Sequence, residues 1–287
     1  TLFPYTTLFR SCMVVKNEED IVEKTILSAL HWATKIIIMD NGSTDSTLAI
    51  IKELTNKYDK VTLWGVYSGG FRDSIRAIVF NDYSYLCNNE AWWCRLDSDE
   101  IYIDDPRDFL SECPRKVDHV YSASFQYYYT KKMIDMEEKD ESYISLPIEE
   151  RLKYYLCDWS EIRFVRITPQ TLWPLNFANP LFLNEPYQKR IRLKHYQYRS
   201  ARQMRSRLLL RKPEENKKLF SHELRKNKIW DESELNYDTG QYIYDDAKLP
   251  EMKRRNKILK VVFSLIIHIC KVKKIRRFLT PSTELIR

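Results

Sequence analysis

The apolar positions of this chain fall into two kinds of pattern. Ile36-Ile37-Ile38-Met39 is a continuous, mostly β-branched run that stops at Asp40-Asn41-Gly42-Ser43-Thr44-Asp45. A run with no polar alternation that ends in turn residues reads as a strand buried on both faces of a parallel sheet. Trp92-Trp93-Cys94-Arg95-Leu96 repeats the arrangement and ends in Asp97-Ser98-Asp99-Glu100. Between such runs the apolar residues recur at helical spacing. Ile21, Val22, Ile26, Leu27 and Leu30 predict a helix over 21–33, and Leu48, Ile51 and Leu54 predict one over 44–58.

Taken in order, the pattern predicts strands at 12–15, 35–39 and 61–66, a third helix at 71–89 and a strand at 91–96. Alternating strands and helices with short connections imply right-handed parallel crossovers, hence an α/β sheet flanked by helices. Asp40 and the acids from Asp97 to Glu100 then lie at the C-terminal strand edge, where open α/β sheets bind ligands. Gly42 permits the sharp turn after Asp40, and Asp45 is expected to cap the next helix.

Beyond residue 100 the pattern weakens. Asp104-Asp105-Pro106 enters a short helix over 107–112, and aromatic residues at 120–129 predict a strand. The charged stretch 133–148 is expected to be a loop beside the site. Residues 161–167 read as a strand, 201–228 as a basic helix, 230–249 as irregular, and 251–278 as helical.

Composition adds constraints. The chain has 287 residues and 44% hydrophobic content, enough for one large domain and an appendage. The six cysteines, at 12, 87, 94, 113, 157 and 270, form no CxxC pair and read as reduced thiols. The net charge of +7 is uneven: residues 187–287 hold 27 Lys or Arg against 11 Asp or Glu, and the remainder is net acidic. An acidic front with a basic rear argues against one continuous nucleic-acid surface. Thr1–Ser11 reads as a non-native adaptor segment, with Pro4 interrupting its apolar stretch.

Three segments, Met13-Val14-Val15-Lys16-Asn17-Glu18-Glu19, Ile37 through Thr47, and Arg95-Leu96-Asp97-Ser98-Asp99-Glu100, resemble family 2 glycosyltransferases of the GT-A fold in order and spacing. The likeness covers about residues 12–200. It implies a GT-A domain there, a Rossmann-like mixed sheet flanked by helices, and a basic, mainly helical extension over 201–287. It also implies a bacterial cell-envelope or surface-polysaccharide type.

The resemblance implies an inverting, metal-dependent transfer of a sugar from a nucleotide diphosphate, with UDP expected, to a hydroxyl of a glycan or lipid-linked acceptor. Mg²⁺ or Mn²⁺ suits the carboxylate and phosphate oxygens involved. Asp99, the second acid of the DxD motif, is the leading metal ligand, with Asp97 and His195 as further candidates. Asp97 and Ser98 are also expected to contact donor or metal-bound water. Asp40 is expected to accept a hydrogen bond from a base N–H, as of uracil N3, since a carboxylate accepts and cannot donate. Val15, Asn17 and Glu18 are expected to line the opposite side of the nucleotide pocket, and Arg72, ahead of Arg76, to reach the diphosphate. Inversion needs a base opposite the leaving group. Glu185 is the first candidate, although Asn184 stands where the subgroup has His; Asp158 and Glu161 compete with it.

Val261 through Cys270 is apolar and flanked by Lys and Arg on both sides. It is too short to cross a bilayer, which takes about 20 residues as a helix. Residues 251–287 therefore suggest contact with an anionic membrane surface, and a cytoplasmic protein peripheral to the inner face of the plasma membrane. Two other readings stand beside the transferase. A nucleotidyltransferase would need a Gly-rich basic loop after the first strand, where Lys16 through Asp20 is acidic. A non-enzymatic nucleic-acid or membrane binder would leave Asp40 and Asp97 through Glu100 without a role.

Overall fold

The computed structural model describes residues 8–83, 91–168, 171–181, 184–211, 230–253, 257–272 and 285–286. In chain order the elements are β1 (Leu8–Val15), α1 (Val22–Ala29), β2 (Lys35–Asp40), α2 (Thr47–Lys57), β3 (Val61–Tyr67), and α3 (Arg76–Tyr83), which a single 3₁₀ turn introduces. Then come β4 (Ala91–Leu96), β5 (Glu100–Tyr102), α4 (Pro106–Ser111), β6 (Val117–Tyr127), α5 (Lys131–Lys139), α6 (Ile148–Arg151), β7 (Tyr154–Trp159), β8 (Ile162–Ile167) and β9 (Glu185–Pro186). The last are β10 (Ile191–His195), α7 (Ala201–Arg211), β11 (Asn236–Tyr237), α8 (Lys257–Val272) and β12 (Leu285–Ile286).

The chain divides into two compact units, and neither is continuous in sequence. The first is Thr1–Ser122, Glu161–Ile191 and Glu251–Arg287; the second is Ala123–Ser160 and Arg192–Pro250. This differs from the expected division at residue 200. The charged middle of the chain goes to the second unit, and the C-terminal stretch returns to the first.

In the first unit β1 pairs in parallel with β2 and β4, and β2 pairs in parallel with β3. β8 joins antiparallel to β4, and the start of β6 joins antiparallel to β8. The mixed α/β sheet with flanking helices expected from the sequence is therefore present. Its apolar runs are continuous because each strand serves two cores. Met13, Val15, Ile36, Ile38, Trp92 and Leu96 pack with Val22, Ile26, Ile51 and Leu54 of α1 and α2. The intervening Cys12, Val14, Ile37, Met39 and Trp93 pack with Ile78, Val79 and Phe80 of α3. The period of two along a strand sends neighbouring side chains to opposite faces.

Residues 8–11, expected to be part of a non-native segment, begin β1: Leu8 stands opposite Ala91 and Arg10 opposite Lys35. Residues 1–7 lie outside the described residues. The expected loop over 133–148 instead contains α5, whose first turn is capped by the Thr130 side chain, and a 3₁₀ turn, Glu141–Ser145. Only Met133 of α5 is buried, so its charges conceal the helical period. Of the third helix, Arg76–Tyr83 is described, preceded by the turn at Asp73–Ile75. The Asp105 carboxylate caps α4 as the sequence suggests, accepting from the Arg107 amide at 2.8 Å. Cys12, Cys94, Cys113 and Cys157 are free thiols.

The second unit is built on the rest of β6, with β7 antiparallel to it and β11 antiparallel to β7. Its core is aromatic. The rings of Tyr127 and Tyr196 lie 4.7 Å apart, and those of Phe125 and Tyr155 lie 5.1 Å apart. The Tyr127 hydroxyl donates to Asp238, which also accepts from Lys194 and the Tyr242 hydroxyl, both at 3.3 Å, and from the Gly240 amide at 2.9 Å.

Candidate active site

Strand register brings the two acidic strand ends to one edge. Asp40 stands opposite Val15, and Leu96 stands opposite Met13, on either side of β1. Two strand spacings separate β2 from β4, so the strand ends that carry Asp40 and Asp97 lie at one edge of the sheet, about 10 Å apart.

The turns at this edge are bolted to one another. Asn17 sits at a left-handed φ of 55°, which asparagine tolerates. Its amide donates to the Ser43 hydroxyl at 3.0 Å, and its side-chain oxygen accepts from the Thr44 amide at 2.7 Å. The Glu18 amide donates to the Thr47 hydroxyl at 2.8 Å, and Glu19 accepts from the Ser46 amide at 2.9 Å. Asp45 accepts from the Thr47 amide at 3.0 Å and so closes the turn into α2, whose N-cap is Ser46 rather than the expected Asp45. Asn41 ties the same edge to the end of β3, donating to the carbonyls of Tyr67 and Gly69 at 2.9 and 2.8 Å. Asn17 thus serves as a clamp between turns. Val15 and Glu18 are buried at the same edge.

Asp40 is fully buried. One carboxylate oxygen accepts from the amides of Gly42 and Ser43, both at 2.9 Å, which closes the turn. The other is buried with no hydrogen-bond partner. An unsatisfied buried carboxylate oxygen is costly, and at a strand edge it marks an acceptor held ready for a donor.

The acids after β4 are embedded in arginine. Asp97 pairs with Arg76 and, at 3.0 Å, with Arg163. Arg163 also pairs with Glu100 and, at 2.9 Å, with Glu161. Arg76 reaches Asp73 at 3.0 Å, and Arg95 reaches Asp73 at 3.3 Å, Glu161 at 3.7 Å and the Asn179 side chain at 3.0 Å. All three guanidinium groups are buried, and Arg163 is wholly inaccessible. Burial by itself would raise the Asp97 pKa. Arg163 and Arg76 outweigh it and hold the carboxyl down at about 2, against the upward push of Asp99. Burial opposes the charge on Arg163 too, but Asp97, Glu100 and Glu161 keep its pKa well above the ordinary value.

Asp73, Asp97, Asp99, Glu100 and Glu161 gather around the guanidinium groups of Arg76, Arg95 and Arg163. Asp97 is matched by two of them, and Asp99 is buried beside it. Among the described residues no group of three or more His, Cys, Asp or Glu is assembled to hold a metal ion, the expected Asp97, Asp99 and His195 set included. The oxygen donors fit a hard divalent cation that takes its remaining ligands from a bound diphosphate and water.

Arg72 is exposed, and Arg76, ranked behind it, is the one held against Asp97. Asp158 is exposed on β7, and His195 ends β10; both belong to the second unit. Glu185 stands opposite Val117, and the register through β6 and β8 sets it level with Ala91, the start of β4. That is the far edge of the sheet, about 20 Å along the strands from Asp97. Its carboxylate pairs there with Lys260 at 2.6 Å. Glu185→Gln is therefore expected to leave turnover within about twofold of wild type and to cost under about 1 kcal/mol, as exposed ion pairs do. Steady-state kinetics and urea unfolding check both.

Glu161, the remaining candidate, begins at the Asp97 edge and touches Arg95 and Arg163. Sequence reasoning missed Arg95 and Arg163. The available signal was an arginine inside each of two otherwise apolar strands, Trp92 through Leu96 and Ile162 through Val165.

Residues 11–64 match the family model described as glycosyl transferase family 2. No curated protein matches the chain. Solved structures similar to part of it include a mannosyltransferase from Pyrobaculum calidifontis in complex with GDP-Man and Mn²⁺, at 13% identity and a TM-score of 0.35, covering 42% of this chain and 36% of that one. A putative glucose-1-phosphate thymidylyltransferase from Bacillus anthracis is similar at 12% identity and a TM-score of 0.30, covering 42% and 55%. Glucosyl-3-phosphoglycerate synthase from Mycobacterium tuberculosis is similar at 13% and 0.30, covering 56% and 57%. The chain spans less than two thirds of each, and likenesses of this strength carry over no activity, donor or acceptor. The segment matched to that family model runs from the middle of β1 to the middle of β3 and contains Asp40 and both clamped turns.

Proposed function

We propose that the chain is an inverting glycosyltransferase that moves a sugar from a nucleotide diphosphate, UDP being the best fit, to a hydroxyl of a glycan or lipid-linked acceptor. The reading includes a role in cell-envelope polysaccharide synthesis and a cytoplasmic location peripheral to the inner face of the plasma membrane. The observation that carries it is the shared edge: a buried oxygen of Asp40 with no hydrogen-bond partner on one side of β1, and the strand end that delivers Asp97 and Asp99 on the other.

In this reading the free oxygen of Asp40 accepts the base N–H, and Val15 and Glu18 close the pocket beside it. Asp99 holds a divalent cation, Mg²⁺ or Mn²⁺, which when bound neutralises the diphosphate as it leaves. Ser98 and Asp97 frame that position, and Arg163 and Arg76 keep Asp97 ionised without spending the cation on it. Glu161, paired with Arg95 and Arg163 beside the diphosphate position, serves this edge as a counter-charge rather than as the base opposite the leaving group.

Asp40→Ala is expected to weaken UDP binding at least about tenfold, the worth of one charge-assisted hydrogen bond of about 1.5 kcal/mol or more. Isothermal titration with UDP and Mn²⁺ reads it, and unchanged affinity would remove Asp40 from the base site. Incubating the chain with nucleotide sugars and a lipid extract should release the nucleoside diphosphate. Release of sugar 1-phosphate instead would mark nucleotidyl transfer and overturn the reading.

A further inference from the structure

α8 is divided into three sectors, and the widest faces outward and is apolar. Successive helical residues turn by about 100°. Phe263, only 6% exposed, packs with Leu172 and Leu181, and Ile267 packs against the same group. The Phe263 ring also meets Phe177 edge-on at 6.3 Å. Lys257, Ser264 and His268 form a polar strip along one flank. The rest is Ile258, Val261, Val262, Leu265, Ile266 and Ile269, all exposed, with Ile258 at 74%, Val261 at 68% and Leu265 at 57%. An ordinary surface helix would place its polar residues there. Here the outward sector is the most apolar one, and it is contiguous along the helix.

We infer that this face is a membrane-docking surface, and that α8 lies in the plane of an anionic bilayer with Ile258, Val261, Leu265 and Ile269 among the acyl chains. Charge selects lipid over another apolar partner. Residues 251–287 contain eleven Lys or Arg and two Glu, and the basic residues bracket the apolar stretch on both sides. Such a bracket matches anionic headgroups and repels a second copy of itself. No helix among the described residues is long and apolar enough to cross a membrane. The ten-residue apolar stretch between the basic flanks, Val261 through Cys270, reaches about 15 Å as a helix, short of the roughly 30 Å hydrocarbon core, so it lies on the surface. Phe263 and Ile267 hold it to the first unit while the opposite sector meets lipid. The supporting segment also supplies Asn179 to Arg95, so the docking helix and the acidic edge share one support.

This surface deepens the peripheral location proposed above and is independent of the transfer chemistry. The test is flotation of the full chain with vesicles of phosphatidylcholine, with and without phosphatidylglycerol, for wild type and for Ile258→Glu/Val261→Glu/Leu265→Glu. The three side chains are exposed, so the variant keeps its fold, and its circular dichroism and its thermal shift with UDP and Mn²⁺ match wild type. Wild type is expected to float with phosphatidylglycerol vesicles, to be released by high salt, and to bind at least tenfold more tightly than the variant. Undiminished binding by the variant would overturn the surface. So would failure of wild type to float, together with a wild-type dimer that the variant converts to monomer, since a second copy would then cover the face. Floating wild type that shows no shift with UDP supports the surface and counts against the transfer reading alone.

Discussion

Replacing Arg163 with methionine is expected to cost about 3–5 kcal/mol of stability, the usual range when one partner of a buried ion pair is removed. The reason is local. Arg163 has no solvent exposure and is the shared counter-charge for Asp97, Glu100 and Glu161. Methionine fills much of the volume but takes away the guanidinium that the inaccessible Glu100 carboxylate pairs with. Glu100→Gln combined with Arg163→Met should therefore cost clearly less than the two single changes added together. Urea unfolding of the three variants reads the coupling, and strict additivity would mean that the pair does not act as one unit. The same network sets an acid limit. Asp97 titrates at about 2 in the fold, against an ordinary value of 3.8. A lowered folded-state value means its contribution is complete above about pH 4 and is lost as pH falls toward 2. Removing Arg163 takes away the largest downward influence on Asp97, so the variant should begin to lose stability at higher pH than wild type.

Asp99→Ala is expected to lower metal-dependent UDP binding and sugar transfer about a hundredfold or more, with little change in binding measured without metal. Cation and carboxylate contacts at a developing diphosphate are worth several kcal/mol, and about 2.8 kcal/mol is a factor of a hundred. Asp97 cannot take over the role while Arg76 and Arg163 occupy it. Titrations of UDP with and without Mn²⁺ separate the two effects. An Asp99→Ala protein that kept its Mn²⁺ dependence would move the metal to another residue.

The parts of this fold that were legible in the sequence are those with local causes. The run from Ile36 to Met39 is wholly buried, and its end at Asp40 follows from the turn that the carboxylate itself closes. The turn closed by Asp45 and the cap formed by Asp105 are likewise written within two residues of each side chain. What the sequence did not show depends on partners far apart along the chain. Asp97 meets Arg76 from 21 residues away, and Glu100 meets Arg163 from 63 away. A lone arginine in an apolar strand looks anomalous until its acid is known. Glu185 was placed by resemblance to an acceptor motif, and only the strand register shows that it belongs to the other edge. α5 hid behind its charges, because one buried methionine leaves no apolar stripe to read.

The central claim is that the ends of β2 and β4 hold one nucleotide diphosphate and its cation between them. Anomalous diffraction from crystals of the chain grown with UDP and Mn²⁺ tests it most directly. The account predicts a manganese peak against the Asp99 carboxylate, with the uracil ring against Asp40. Nucleotide bound away from this edge, or manganese bound to side chains that exclude Asp99, would contradict it.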